Sequence, residues 1–171
     1  MAESVTYEAT KGPGSLPATE DHDGLSCLMA KAALGHRVLL AGLLAEIDLY
    51  PGQDRVLLAL WEHGPQSQNK LAALLGIDVS TMTRSLQRLE RSGFVSRSPS
   101  PANRRVSMVS ITPKGDALRP EVNRVLGEVH RRMVEGLTAE QVATLCALLE
   151  VVRGNVCGDV CGDEVCDVGP C

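Results

Sequence analysis

Leu25, Met29, Ala32, His36, Leu39, Leu43 and Ile47 fall three or four residues apart and make one stripe along a helix predicted over 25–47. Gly35 and Gly42 lie inside it, each costing about 1 kcal/mol against Ala, which suits a helix packed closely on a neighbour. Pro51 restarts the chain, and PGQDRVLLALWEHG reads as a second helix closed by Gly64. SQNKLAALLG makes a short third helix ending at Gly76. In the fourth, DVSTMTRSLQRLERSG (78–93), the apolar stripe narrows to Val79, Met82, Leu86 and Leu89. Hydroxyls, one amide and arginines cover the rest of it. Asp78 or Ser80 can cap its first N–H groups. Two helices joined through Gly76-Ile77-Asp78 form a helix-turn-helix, whose second helix is the one presented outward.

FVSRSPSPANRRVSMVSI (94–111) alternates loosely, with two Ser-Pro steps and Asn103 at its middle, and predicts a two-stranded hairpin with a long tip, a wing. Thr112 and Pro113 open a fifth helix seamed by Leu118, Val122, Val125, Val129 and Met133. Pro120 lies well inside it and should kink or divide it. TAEQVATLCALLEVVRG opens with Thr138 and Glu140–Gln141 and carries Val142, Leu145, Leu149 and Val152, with Cys146 on the apolar side as a core residue.

The expected fold class is therefore mainly α with a small β-hairpin wing: a winged helix-turn-helix with N- and C-terminal dimerisation helices. Long apolar seams flanking a small winged unit need a partner surface, and a second copy of the chain is the simplest. The expected organisation is a disordered tail over 1–22, a winged domain over 23–154 and a cysteine-rich acidic tail over 155–171. Within the domain, 51–111 is expected to form the winged core, and 25–47 and 112–154 the dimerisation helices.

The 171 residues suffice for one domain with a substantial core. Tyr7, Tyr50, Trp61 and Phe94 are its only aromatics, so that core must be mostly Leu, Val and Ala. The net charge of −4 hides an asymmetry. Residues 66–105 hold Lys70, Arg84, Arg88, Arg91, Arg97, Arg104 and Arg105 against Asp78 and Glu90, a local charge of +5. A basic middle between acidic ends points to a local anionic partner rather than to general stickiness. The start lacks the basic and apolar regions of a secretory signal. The longest apolar run, 38–45, is too short to span a bilayer. The expectation is a cytoplasmic protein without a membrane partner, its six cysteines mostly reduced.

Hydroxyls and arginines on a protruding helix can donate to phosphates, and an arginine fork fits guanine O6 and N7. Double-stranded DNA is the partner this chemistry suits. A winged helix used only for protein contacts is the alternative, and arginines at both helix and wing tip argue against it. No phosphate loop, nucleophile elbow or zinc motif appears, and His22, His36, His63 and His130 show no ligand spacing. An enzyme is not expected, nor a cofactor.

With its elements in this order, the sequence resembles the MarR family of bacterial transcriptional regulators. The matching residues are YPGQDRVLLAL (50–60), LAALLGIDVSTMTRSLQRLERSGFVSR (71–97), NRR (103–105) and SITPKG (110–115). The resemblance implies an obligate dimer on a roughly palindromic operator, most often a repressor, with one helix per subunit in a major groove and one wing toward a minor groove. It implies DNA contacts from Ser80, Thr81, Thr83, Arg84, Gln87 and Arg88, with Thr83–Arg84 matching the family's Thr-Arg pair. Arg105 matches the wing-tip arginine, and Arg104 stands beside it. Asn103 replaces the usual Asp that tethers this arginine, and an amide cannot ion-pair. The family's pocket for a small-molecule effector maps onto His36, Arg37, Tyr50, Arg55 and Trp61. Cys27 lies where some relatives place a peroxide-sensing cysteine, so relief by oxidation is a second expectation.

The tail is outside this resemblance. Cys157, Cys161, Cys166 and Cys171 are spaced C-x3-C-x4-C-x4-C, without the C-x2-C knuckle of common zinc sites. A silent tail, a thiol–disulfide switch and a metal site all remain open.

Overall fold

A computed structural model describes residues 22–100 and 106–160. The elements run α1 (His22–Ala45), α2 (Gln53–His63), β1 (Gln66–Ser67), α3 (Gln68–Leu74), α4 (Val79–Arg91), β2 (Val95–Pro99), β3 (Ser107–Ile111), α5 (Pro113–Ala117), α6 (Arg119–Met133) and α7 (Ala139–Val160). Two compact units divide the chain, Met1–Gly35 and His36–Cys171. In the described part of the first, Leu25, Leu28 and Leu34 are exposed along the start of α1. By length and composition alone Gly24–Ala45 could cross a membrane, because Lys31, His36 and Arg37 do not interrupt its overall hydropathy as they interrupt the 38–45 run.

The core belongs to the second unit. Leu44, Leu49, Val56, Leu57, Leu71, Met82, Leu86, Leu89, Val109, Val122 and Val125 are its largest fully buried side chains, contributed by the end of α1, α2, α3, α4, β3 and α6. Each such burial stabilises by about 1.5–3 kcal/mol before entropy is counted. This cluster fixes α3 and α4 against the sheet, so that whatever α4 turns outward is held on a packed base.

The wing is larger than the predicted hairpin. Its sheet has three antiparallel strands in the order β1-β3-β2. Val95 to Pro99 pair with Ile111 to Ser107, and on the other edge Gln66 pairs with Val109 and Ser67 with Met108. Two residues carry no periodicity, and β1 exists because β3 offers an open edge. Ser67 then serves α3 as well, its hydroxyl accepting from the Lys70 N–H at 3.3 Å.

Pro120 divides the fifth predicted helix rather than kinking it. Pro120 has no N–H to continue the ladder, and the break falls at Leu118, the last residue before α6 begins. The last helix begins as expected, with a reciprocal cap: Thr138 N–H donates to Gln141 Oε1 at 2.8 Å and Gln141 N–H to Thr138 Oγ1 at 3.2 Å. Three expectations change. Residue 22, placed in the tail by the pattern, is already helical, and α7 continues beyond 154 to Val160. Cys146 is exposed rather than core, as are Leu145 and Leu149 beside it, because nothing among the described residues covers that face of α7.

Candidate nucleic-acid interface

The turn before α4 is tight, and Gly76 makes it with φ +59°, a conformation open to glycine. Asp78 then caps α4, its Oδ1 accepting the Thr81 N–H at 2.9 Å. The Ser80 hydroxyl donates to the same oxygen. These hydrogen bonds, Ser80's foremost and then Thr81's, hold the Asp78 carboxyl well below the usual carboxylate range. Of the two cap candidates the backbone uses Asp78, and Ser80 supports it. At the far end Lys114 Nζ donates to the Ser92 carbonyl at 2.9 Å and lies 5.0 Å from the centre of the Phe94 ring, a cation placed where the helix dipole is negative.

Met82, Leu86 and Leu89 anchor the inner face of α4. Val79, expected with them, is 49% exposed because it is the first helical residue and stands clear of the core. The outward face carries Ser80, Thr81, Arg84, Gln87 and Arg88, all exposed, and Arg84 has no hydrogen bond or ion pair among the described residues. Its five N–H donors are therefore available to an outside acceptor.

Thr83 is different. Its hydroxyl donates to the Val79 carbonyl at 2.7 Å and accepts from Gln68 Nε2 at 2.7 Å. Gln68 Oε1 in turn accepts from Arg97 Nη1 at 3.2 Å, and Arg97 Nε lies 3.3 Å from Glu90 Oε2. The chain of contacts ties α3, α4 and β2 together. Thr83 thus spends its donor inside the protein and keeps α4 in place. Gln68 and Arg97 share that duty, and nothing in their sequence spacing announces it.

Among the described residues, Trp61 and Tyr50 of the five expected around an effector line different clefts. His36 is half-buried, and Arg37 and Arg55 are exposed. Trp61 lines a cleft of about 510 Å³ with Thr112, Asp116 and Arg119, and the Arg119 guanidinium stands 5.8 Å from its ring centre. Tyr50 lies elsewhere, in a recess of about 190 Å³ with Thr81, Arg84, Ser85 and Arg88. The Arg88 guanidinium is 5.0 Å from the centre of its ring. Cys27 is exposed. Asn103, Arg104 and Arg105 lie outside the described residues, as do Cys161, Cys166 and Cys171, while Cys157 falls on the backbone of α7. Among the described residues no three His, Cys, Asp or Glu side chains group as a metal site.

Comparison with known proteins places this arrangement. The model of the MarR family matches residues 49–107, which hold the helix-turn-helix and most of the wing. The multiple antibiotic resistance protein MarR of Salmonella typhimurium is 32% identical over 115 residues, covering 67% of this chain and 80% of that one. The HTH-type transcriptional repressor IacR of Pseudomonas putida is 36% identical over 114 residues, covering 67% and 68%. A crystal structure of a cysteine-to-serine variant of MarR from Escherichia coli complexed with operator DNA superposes with a TM-score of 0.69 at 30% identity, covering 75% of this chain and 92% of that one. The transcriptional regulator SlyA superposes with a TM-score of 0.70 at 25% identity, covering 80% and 96%. On this identity and coverage, with the fold to match, the chain belongs to the MarR family.

Proposed function

We infer that this protein is a sequence-specific DNA-binding transcriptional regulator that works as a homodimer on a roughly palindromic operator in the cytoplasm. The observation that carries the reading is α4 itself: a capped helix, locked by three buried residues, whose outer face presents Arg84, without a partner among the described residues, beside Arg88, Thr81 and Gln87. Helix residues reach base edges in the major groove, and the minor groove is assigned to Arg104 and Arg105, which stand between β2 and β3 in the sequence. The MarR structure complexed with operator DNA has the same fold. The exposed leucines of α1 and α7 supply the apolar surface that a second copy covers, so the length and hydropathy of α1 are assigned to dimerisation rather than to a membrane.

The mode is repression relieved by a signal. For a small effector the support favours Trp61, which shares its cleft with the Arg119 cation. Selection of bound sequences from random DNA tests the main reading, followed by titration of the selected site with wild type and Arg84→Ala at rising salt. A bidentate base contact is worth about 1–3 kcal/mol, so Arg84→Ala should lose specific binding while remaining a dimer. Full operator affinity in Arg84→Ala would remove α4 from the interface.

A further inference from the structure

Tyr50 sits at the turn before α2, and its backbone is held firmly. Its N–H donates to Oε1 of the buried Gln53 at 2.8 Å, and the ring of Pro51 disfavours helical backbone at Tyr50 itself. Yet the ring is 60% exposed, so burial does not explain where it is. What it meets is Arg88, whose guanidinium carbon lies 5.0 Å from the ring centre. Arg88 follows Arg84 by four residues, one turn along the outer face of α4, where like charges repel and each side chain is otherwise free to sample several rotamers. A guanidinium resting on an aromatic face keeps its N–H groups along the edge of its plane. The ring therefore fixes the arginine without consuming the donors that a phosphate or base would use. Thr81, Arg84 and Ser85 line the same recess, so the ring stands among the residues of the DNA-facing surface.

We propose that Tyr50 is a positioning residue of the DNA interface: its ring holds the Arg88 guanidinium in a binding-ready orientation, extending the reading surface from α4 to the start of α2. The proposal rests on the DNA-binding reading above. It moves Tyr50 from the effector pocket, where the family pattern put it, to the operator side of the molecule.

The test is operator affinity of the full-length dimer for wild type, Tyr50→Phe, Tyr50→Leu, Arg88→Ala and the Tyr50→Leu/Arg88→Ala pair. Tyr50→Phe keeps the ring and should keep wild-type affinity. Tyr50→Leu should weaken binding about two- to fivefold per subunit, multiplied over two subunits, while the thermal midpoint stays unchanged. In the Arg88→Ala background the Tyr50→Leu change should cost nothing further. In the free protein the Arg88 Nε–H resonance should carry a ring-current shift that Tyr50→Leu abolishes. Additive losses, or a Tyr50→Phe variant as weak as Tyr50→Leu, at an operator the wild type binds would overturn this proposal alone. A wild type that selects no DNA would overturn the DNA-binding reading and the proposal with it.

Discussion

Gln68 donates its amide hydrogen to the Thr83 hydroxyl across 2.7 Å, so the first helix of the helix-turn-helix grips the second at the half-buried residue just before the outward-facing Arg84. The same amide holds Arg97 through its oxygen. Gln68→Ala would break both links, leaving the half-buried Thr83 with only its bond to the Val79 carbonyl and the half-buried Arg97 with only its contact to Glu90. A loss of about 1–2 kcal/mol is expected, measured as a lower urea midpoint at an unchanged slope. An unaltered midpoint would mean the network is ornamental.

Gly115 is pressed onto the chain at Phe94. A Cβ there would meet the Phe94 carbonyl oxygen at 2.1 Å, and that oxygen is already held by the Thr112 N–H at 3.0 Å. Neither side of this contact can swing away. Gly115→Ala should therefore cost about 3 kcal/mol, the upper part of the range for overpacking, and melting curves would show it. A variant as stable as wild type would show that α5 can lift away from the wing.

Asp78 makes stability depend on pH. Its carboxyl is held below the ordinary 3.8, so its contribution is complete where the group is ionised in both states and is lost as pH falls through the depressed value. Asp78→Ala should be less stable than wild type above about pH 4 and should converge with it in stronger acid. Paired acid titrations followed by circular dichroism measure the gap. A gap that persists at full strength below about pH 2 would assign the effect to helix propensity instead.

Residues 138–171 should be removable without loss of the core. Among the described residues none of the buried core lies on α7, while Leu145, Leu148, Leu149, Val151 and Val156 of that helix are exposed. The truncated protein is expected to unfold cooperatively, to sediment as a monomer and to lose operator affinity. A truncated protein that sedimented as a dimer would place the partner surface elsewhere.

How much of this was legible depended on distance along the chain. The stripe of Met82, Leu86 and Leu89, the Asp78 cap, the Thr112-Pro113 start and the break near Pro120 are all local signals, and each is where periodicity and capping put it. β1 was not legible, since Gln66 and Ser67 owe their extended form to Val109 and Met108 some forty residues on. The bond between Thr83 and Gln68 was not legible, because the two belong to different helices. Nor was the meeting of Tyr50 with Arg88, which lies far along the chain. Val79 and Cys146 were misplaced because spacing tells which face a residue occupies but not whether that face is covered.

The join at Leu118 has a mechanical side. Below it, Gly115 is seated on Phe94 and cannot move apart from the wing; above it, Arg119 and Pro120 open a helix of 15 residues. At 1.5 Å per residue that helix is a lever about 22 Å long, so a tilt of about 5° at its pivot carries its tip through about 2 Å. Run in reverse, the same geometry makes a displacement of about 2 Å at the far end of α6 equivalent to a rotation of only about 5° at Leu118.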